Sequence, residues 1–313
     1  MSAGYAHITL VNQLGTPNIL DKIGFPHEAA AAVLDWFKFC ELGAISPDYP
    51  YLKIEDAGAQ KWADDMHKRK AGEMIHTGIS LLKEKKGEAR GKGLAWLLGY
   101  AAHVYTDLTI HPVVNLKVGR PYELHKTEHR ICEMHQDVYI YQRLNLGPIE
   151  FAEHLDSGIV LCAAKDDKEV LDIDITEIWS AMLQKVYEDD FSIRRPKINE
   201  WHKRFKFVID KIAEEGGKLV PLARHVASGL GLVYPSREEV DINFIKNLKT
   251  PSGFKHYDEI FDHAKEVVLE VWQLIAEAII EKTDLYFAKI GKNVNLDEGT
   301  GDKGEIVTWE VIA

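Results

Sequence analysis

Apolar residues recur at the three- and four-residue spacing of amphipathic helices along most of this chain, and strand-like alternation is scarce. The clearest patterns are Ala57–Lys85, Leu94–Asn115, Pro121–Arg143 and Phe254–Ile290, and we expect Pro112 to end the second of these helices. Shorter segments predict further helices at Glu28–Leu42, Ile149–Ala164, Ile173–Tyr187, Asn199–Glu215, Lys218–Leu230 and Arg237–Leu248. The pattern therefore predicts an all-α protein, a multi-helix bundle.

Two segments depart from the helical pattern. Ala44–Leu52 contains two prolines and cannot form a regular helix, so we expect a rigid loop that displays Asp48. Gly291–Ala313 is rich in glycine and aspartate and becomes strand-like at Glu305–Ile312, which predicts a short irregular or β-like tail.

The segment Leu94–Asn115 carries the first chemical signal. His103, Asp107 and His111 follow one another at intervals of four residues. On an α-helix such a step drifts by only ~40°, so the three side chains share one face. Imidazole and carboxylate groups in a row suit a zinc site, and the alternative is a helix with hydrogen-bonded core histidines and an ordinary charge.

Histidine is concentrated in the N-terminal half, since nine of the fourteen lie between His7 and His135. Ligands of a multi-metal site converge from several elements, and histidine is the commonest of them. The candidate ligands are His7, Asp48, His67, His103, Asp107, His111, His129 and Glu133. The alternative is a helical bundle that is merely rich in histidine. We expect packing or surface roles for His27, His76, His135, His154, His202, His225, His256 and His263.

Composition narrows the function. The 313 residues allow one large domain or two small ones, and the formal net charge of −11 with no long basic run disfavours duplex nucleic acid as a partner. The N-terminus has no signal-peptide pattern and no segment is apolar enough to span a membrane. Three isolated cysteines indicate reduced thiols. These features predict a cytoplasmic protein.

The order of these residues resembles that of the bacterial zinc-dependent phospholipase C family. The stretch from His103 through Asp107 and His111 to Asn115 corresponds to the family's His–Asp–His–Asn signature. An early histidine, a loop aspartate and a helix histidine precede it, and a His–x3–Glu pair follows. The resemblance covers residues 1–145. We therefore predict one domain at 1–290, with a metal-ligand half (1–145) and additional helices (146–290), followed by a tail at 291–313.

The resemblance implies an all-α fold like that of single-strand-specific zinc nucleases, and the hydrolysis of phosphodiesters with three zinc ions. By position, one zinc would be held by His67, His103, Asp107 and Asp48, a second by His111, His129 and Glu133, and a third by His7 and a bridging Asp107. The chain departs from the family in three ways: the interval from Asp107 to His111 is two residues shorter, no tryptophan lies near the N-terminus, and the chain is longer.

The leading prediction is a zinc-dependent phosphoester hydrolase, phospholipase C-like, acting on a small-molecule or lipid substrate. Asp48 is the candidate that orients the attacking water or takes its proton. The alternatives are a nuclease of the related fold and a metal-binding member with a different small-molecule substrate. Two or three zinc ions fit the ligand set, and iron or manganese would accept the same ligands.

Secondary roles are also predicted around the ligands. Asp137 either accepts a hydrogen bond from a ligand histidine or is a solvated charge. The aromatic candidates for the substrate cleft are Tyr49, Tyr51, Trp96 and Tyr105, although core packing is the stronger expectation for Trp96.

Overall fold

The computed structural model describes residues 4–146, 158–215 and 234–310. Within these ranges the chain forms 13 α-helices and one antiparallel hairpin, which confirms the all-α prediction. The helices are α1 (Tyr5–Leu14), α2 (Pro17–Lys22), α3 (His27–Asp35), α4 (Phe37–Ile45), α5 (Ala57–Lys68), α6 (Ala71–Glu84), α7 (Gly87–Val118), α8 (Lys126–Tyr141), α9 (Ile173–Val186), α10 (Glu188–Ile193), α11 (Ile198–Glu215), α12 (Tyr257–Ile280) and α13 (Tyr286–Lys289). The hairpin joins β1 (Leu248–Thr250) to β2 (Gly253–Lys255).

Short 3₁₀ turns connect several of these elements. They lie at Ser46–Leu52, Tyr122–Leu124, Gln142–Leu144, Ile159–Leu161, Arg237–Glu239 and Ile242–Phe244. The first of them holds the predicted loop aspartate, Asp48, in the proline-rich segment that sequence analysis excluded from a regular helix. None of the described helices is both long and apolar enough to cross a lipid bilayer.

Helix α7 is the centre of the bundle. Its side chains are buried without interruption from Lys92 to Asn115, so every face of this stretch, including the one that carries His103, Asp107 and His111, packs inside the protein. Helices α3, α4, α6 and α12 pack around it. The backbones of α4 and α7 lie close together where the two helices cross. A Cβ on Gly43 would overlap the Trp96 carbonyl, and one on Gly99 would overlap the Cys40 carbonyl.

The predicted end of this helix at Pro112 is wrong, since α7 continues to Val118. A proline inside a helix removes the hydrogen bond to the carbonyl four residues earlier, here that of Leu108. The Thr308 hydroxyl donates to that carbonyl instead, at 3.1 Å. A contact from the far end of the sequence therefore compensates for the proline.

Two predicted helices are each broken in two. Glu28–Leu42 divides into α3 and α4 at Trp36, and Ala57–Lys85 divides into α5 and α6. At the second break Lys70 adopts a left-handed conformation with φ 57, and its backbone N–H donates to Asn293 Oδ1 at 3.2 Å. Tertiary contacts thus override a continuous apolar pattern.

The predictions beyond residue 145 are mixed. The predicted helices at Ile173–Tyr187 and Asn199–Glu215 correspond to α9 and α11. The helix predicted at Arg237–Leu248 is wrong, because this segment forms two 3₁₀ turns and the start of β1. The helix predicted at Phe254–Ile290 is too long at both ends. A capping box formed by His256 and Glu259 begins α12. Lys282, which has a left-handed backbone with φ 59°, lies just after its end. Lys218–Leu230 and residues 149–157 lie outside the described residues, and 158–164 contain a 3₁₀ turn instead of the predicted helix.

The C-terminal segment, residues 291–310, contains only isolated β-bridges, between Asn295 and Thr300 and between Thr300 and Ile306. It lies against α5, α6 and α7. The Lys292 carbonyl accepts from the Glu73 N–H at 2.9 Å, at the start of α6. Leu296 N–H donates to the His67 carbonyl at 2.7 Å, at the end of α5.

Candidate metal centre

The eight candidate ligands come from five separate elements and meet in one place. His7 lies on α1, Asp48 on the 3₁₀ turn, His67 on α5, the His103–Asp107–His111 row on α7, and His129 and Glu133 on α8. Three groups each have donor atoms within 4.8 Å of one another: His7, His103 and Asp107; Asp48, His67 and His103; and His111, His129 and Glu133. The first two groups share His103, and His111 of the third lies 3.3 Å from Asp107. Residues far apart in sequence therefore form one buried cluster.

Asp107 lies at the middle of the cluster, and its two oxygens face different partners. Oδ1 lies 3.2 Å from His7 Nε2 and 3.3 Å from His111 Nε2. Oδ2 lies 3.1 Å from His103 Nε2 and 4.0 Å from His67 Nε2. A carboxylate that presents each oxygen to a different set of imidazoles can bridge neighbouring cations.

The other two carboxylates lie on either side of Asp107. Asp48 Oδ1 is 3.2 Å from His67 Nε2, and that nitrogen is 3.4 Å from His103 Nε2. Glu133 Oε1 is 2.9 Å from His111 Nε2, and its Oε2 is 3.4 Å from His129 Nδ1. Glu133 is thus shared between two imidazoles, whereas Asp48 contacts one imidazole that itself lies against a second.

Backbone carbonyls fix the orientation of three of the histidines. In each case the Nδ1–H group donates to the carbonyl. His67 donates to Ala63 at 2.8 Å, His103 donates to Ala44 at 2.9 Å and His111 donates to Leu296 at 2.8 Å. Each ring consequently directs Nε2 into the cluster. A second hydrogen bond of this kind sets the tautomer and angle of a metal-ligating histidine.

The charges within the cluster favour the ionised carboxylates. Burial raises the pKa of Asp107, but the positive charges of His111 and His103 outweigh it, so this pKa lies well below its ordinary value. Burial lowers the pKa of His111, yet Asp107 and Glu133 raise it to about 10. Burial also lowers the pKa of His67, but Asp48 is the main group that raises this pKa, to about 9. The carboxylates therefore favour positive charge where a metal cation would lie.

Several buried atoms of the cluster make no well-aligned hydrogen bond with any described residue. They are both carboxylate oxygens of Asp48, Asp107 Oδ2, His7 Nδ1, His111 Nε2 and His129 Nε2. Buried polar atoms are normally paired, because leaving them unpaired costs free energy. Imidazole nitrogens and carboxylate oxygens are zinc ligands, and iron or manganese accept the same donors. The residues present therefore fit a bound divalent metal.

A cleft of about 200 Å³ opens beside the cluster. Its wall includes four of the candidate ligands and seven further residues, namely Tyr51, Gln60, Asp64, Tyr122, Lys126, Arg130 and Asp297. Lys126 and Arg130 are one turn apart on α8, next to His129. The Arg130 Nε is buried and has no hydrogen-bond partner among the described residues. The cleft thus combines cationic groups with the candidate metal ligands.

A family model for zinc-dependent phospholipase C matches residues 6–189. The chain belongs to this family. No curated protein and no solved structure matches the chain. The matched range contains all eight candidate ligands and extends past residue 145, where the resemblance seen in the sequence stops.

In this member of the zinc-dependent phospholipase C family the interval from Asp107 to His111 is two residues shorter than in the family's signature, and helix α7 spans it without a break. Because the helix remains continuous, His111 lies one turn after Asp107, with its Nε2 3.3 Å from Asp107 Oδ1. The helix that carries His7, α1, is anchored by a carboxylate on α8. Both oxygens of Asp137 accept backbone N–H groups at the start of α1, from Tyr5 at 2.9 Å and from Ala6 at 2.7 Å.

Both expectations for Asp137 are therefore wrong. It is a buried carboxylate that caps α1, and it also accepts the Tyr234 hydroxyl at 2.9 Å. Of the aromatic candidates only Tyr51 lines the cleft. The other three are core residues, as expected for Trp96 but not for Tyr49 and Tyr105.

The histidines expected to be bystanders take other roles where they are described. His76 bonds to the Ile290 carbonyl, His135 accepts from Asp241 N–H, His202 contacts the Tyr49 hydroxyl and His263 bonds to the Thr308 carbonyl. His256 caps α12, and His27 is exposed. His154 and His225 lie outside the described residues.

Six residues of the cleft wall were not singled out in the sequence analysis, namely Gln60, Asp64, Tyr122, Lys126, Arg130 and Asp297. Lys126 and Arg130 share the helical face of Glu133, so the spacing on α8 contained their signal. Tyr122 lies on a 3₁₀ turn, and Asp297 lies in an irregular segment outside the family match, so no periodic pattern marks either of them.

Proposed function

We propose that this protein hydrolyses a phosphoester in the manner of a zinc-dependent phospholipase C. The single observation that carries the proposal is the convergence of five imidazoles on Asp107 and two further carboxylates beside an open cleft. Zinc held there would lower the pKa of a bound water and neutralise charge on the phosphoryl oxygens.

The contacts suggest how the ligands would be shared. Asp48, His67 and His103 would hold one ion together with Asp107, and His111, His129 and Glu133 would hold another. His7 would contribute to a third, also with Asp107, against which its Nε2 lies at 3.2 Å. The separate groups support two or three ions, and Asp107 would be common to most of them.

Asp48 is proposed as the residue that accepts a proton from the attacking water. Both of its oxygens are buried without a well-aligned hydrogen bond to any described residue, and Oδ1 lies 3.2 Å from Nε2 of His67, which lines the cleft. Burial raises its pKa, but His103 and His67 outweigh this effect and keep the pKa below its ordinary value. The carboxylate is therefore ionised at neutral pH, as a proton acceptor must be.

Lys126 and Arg130 are proposed to bind the anionic oxygens of the substrate. Arginine binds phosphate oxygens through parallel N–H groups, and lysine supplies a point charge. The cleft is smaller than the pockets that enclose drug-sized ligands, which favours a small phosphoester or the phosphate-bearing end of a lipid.

The test combines metal analysis with turnover. Protein expressed with added zinc should contain two or three zinc ions per chain and should cleave a chromogenic phosphodiester or phospholipid vesicles. His67→Ala should lose zinc and activity, whereas His27→Ala, which changes an exposed histidine, should lose neither. Less than one metal ion per chain in the wild type would contradict the proposal. Cleavage of single-stranded DNA alone would favour the nuclease alternative.

A further inference from the structure

The C-terminal segment lies beyond the family match, yet one of its residues connects two of the candidate ligands. Leu296 N–H donates to the His67 carbonyl at 2.7 Å, and the Leu296 carbonyl accepts from His111 Nδ1 at 2.8 Å. The first contact satisfies a carbonyl in the last turn of α5, where no helical partner exists. The second sets the ring of His111. One peptide segment thus joins α5 to α7 at the cluster.

The same segment supports α7 at the proline that follows His111. Thr308 Oγ1 donates to Leu108 O at 3.1 Å, and Trp309 Nε1 donates to Thr109 O at 2.9 Å. Leu108 carries the carbonyl that Pro112 leaves without its helical donor. These contacts stabilise the turn of α7 that separates Asp107 from His111.

Close packing holds the segment in this register. Gly299 has φ +69, and a Cβ there would overlap the ring of Pro112. Asn115 Nδ2 donates to the Asp297 carbonyl at 2.7 Å. Only a residue without a side chain fits between the segment and α7 at this point.

We infer that the C-terminal segment is a functional part of the metal centre, and that the Leu296 carbonyl positions His111 for metal binding. The inference rests on the proposed function in one respect, that His111 is a metal ligand. Residues of this kind act through the ligand that they orient, and their loss typically lowers metal affinity about 10- to 100-fold.

Two glycines provide a matched experiment. Gly299 and Gly304 have similar positive φ angles, +69 and +75, but a Cβ on Gly304 meets nothing within 4 Å. Alanine therefore introduces the same backbone strain at both positions, and only Gly299→Ala displaces the segment from Pro112. Zinc affinity of the full-length proteins is measured by competition with a chelator. We expect about tenfold weaker binding in Gly299→Ala, and wild-type affinity in Gly304→Ala.

A second variant decides the matter if Gly299→Ala does not fold. Thr308→Val keeps the side-chain shape and removes the hydroxyl that donates to Leu108, so zinc binding should weaken in the same direction. Wild-type zinc affinity in every folded variant would overturn the inference and leave the proposed function intact. A wild-type protein without zinc would overturn both.

Discussion

Asp107 carries the largest share of the chemistry assigned to any one residue. Its two oxygens contact three imidazoles within 3.3 Å, and His67 lies at 4.0 Å. Asp107→Asn should therefore lose more zinc than His7→Ala, because the amide supplies only one oxygen and no negative charge. Elemental analysis of the purified variants measures this, with exposed Asp302→Asn as the control. Equal losses in the Asp107 and His7 variants would argue against a shared carboxylate.

Arg130 is expected to affect substrate binding. A charge-assisted hydrogen bond contributes roughly 1.5–3 kcal/mol, and 1.4 kcal/mol corresponds to about tenfold. Arg130→Gln should raise KM by at least about tenfold and leave zinc content unchanged, whereas exposed Arg237→Gln should change neither. Steady-state kinetics with a chromogenic phosphodiester test this prediction. An unchanged KM would place the phosphoester elsewhere.

His202 makes stability depend on pH without involving the metal centre. Burial, with a contribution from Lys206, lowers its pKa to about 4 from 6.5. The unfolded chain therefore binds this proton between pH 6.5 and 4 and the folded protein does not, so stability is present above 6.5 and lost as pH falls through this window. The effect amounts to ~3 kcal/mol at 1.36 kcal/mol per pKa unit.

His202→Gln removes this titration. Denaturant unfolding at a series of pH values should give a shallower loss of stability for the variant than for the wild type between pH 6.5 and 4. Parallel curves would show that His202 is not buried in its neutral form.

At the residue scale the sequence predicted that the three candidate ligands of α7 share one face, because a step of four residues on a helix is a local property. His103, Asp107 and His111 needed only that α7 be a helix. Asp137 was assigned wrongly, because its partners, the N–H groups of Tyr5 and Ala6, are more than 130 residues away in sequence. Asp297 has no local signal at all.

At the element scale, the close crossing of α4 and α7 places the Ala44 carbonyl at His103. Gly99→Ala would push the two helices apart, because its Cβ would overlap the Cys40 carbonyl. Overpacking of this kind typically costs about 1–3 kcal/mol, so this variant should unfold at lower denaturant concentration. Gly291→Ala, whose Cβ would make only an ordinary contact with Val294 at 3.6 Å, should not be destabilised. Equal stability of Gly99→Ala and the wild type would contradict the crossing.

The element boundaries were less predictable than the elements. A proline such as Pro112 often ends a helix, and here the Thr308 hydroxyl donates to the carbonyl that the proline leaves without its helical partner. The separation of α5 from α6 depends on Lys70 and its contact with Asn293. Such contacts between distant segments leave no trace in the local apolar pattern.

At the scale of the whole molecule, the candidate centre draws on both ends of the chain. His7 comes from the first described helix, and Leu296 contacts His67 and His111 from the C-terminal segment. Sequence analysis predicted that the N-terminal half would converge on one site. It gave the last residues no part in that site, since their contribution is made by a backbone carbonyl, which has no residue-specific signature.

The central claim is that the eight side chains share metal ions around Asp107. Diffraction data collected at the zinc absorption edge from crystals of the zinc-loaded protein test it most directly. We predict two or three anomalous peaks at about 2.0–2.2 Å from these imidazole nitrogens and carboxylate oxygens. No peak among these side chains, or peaks only at surface residues elsewhere, would contradict the account.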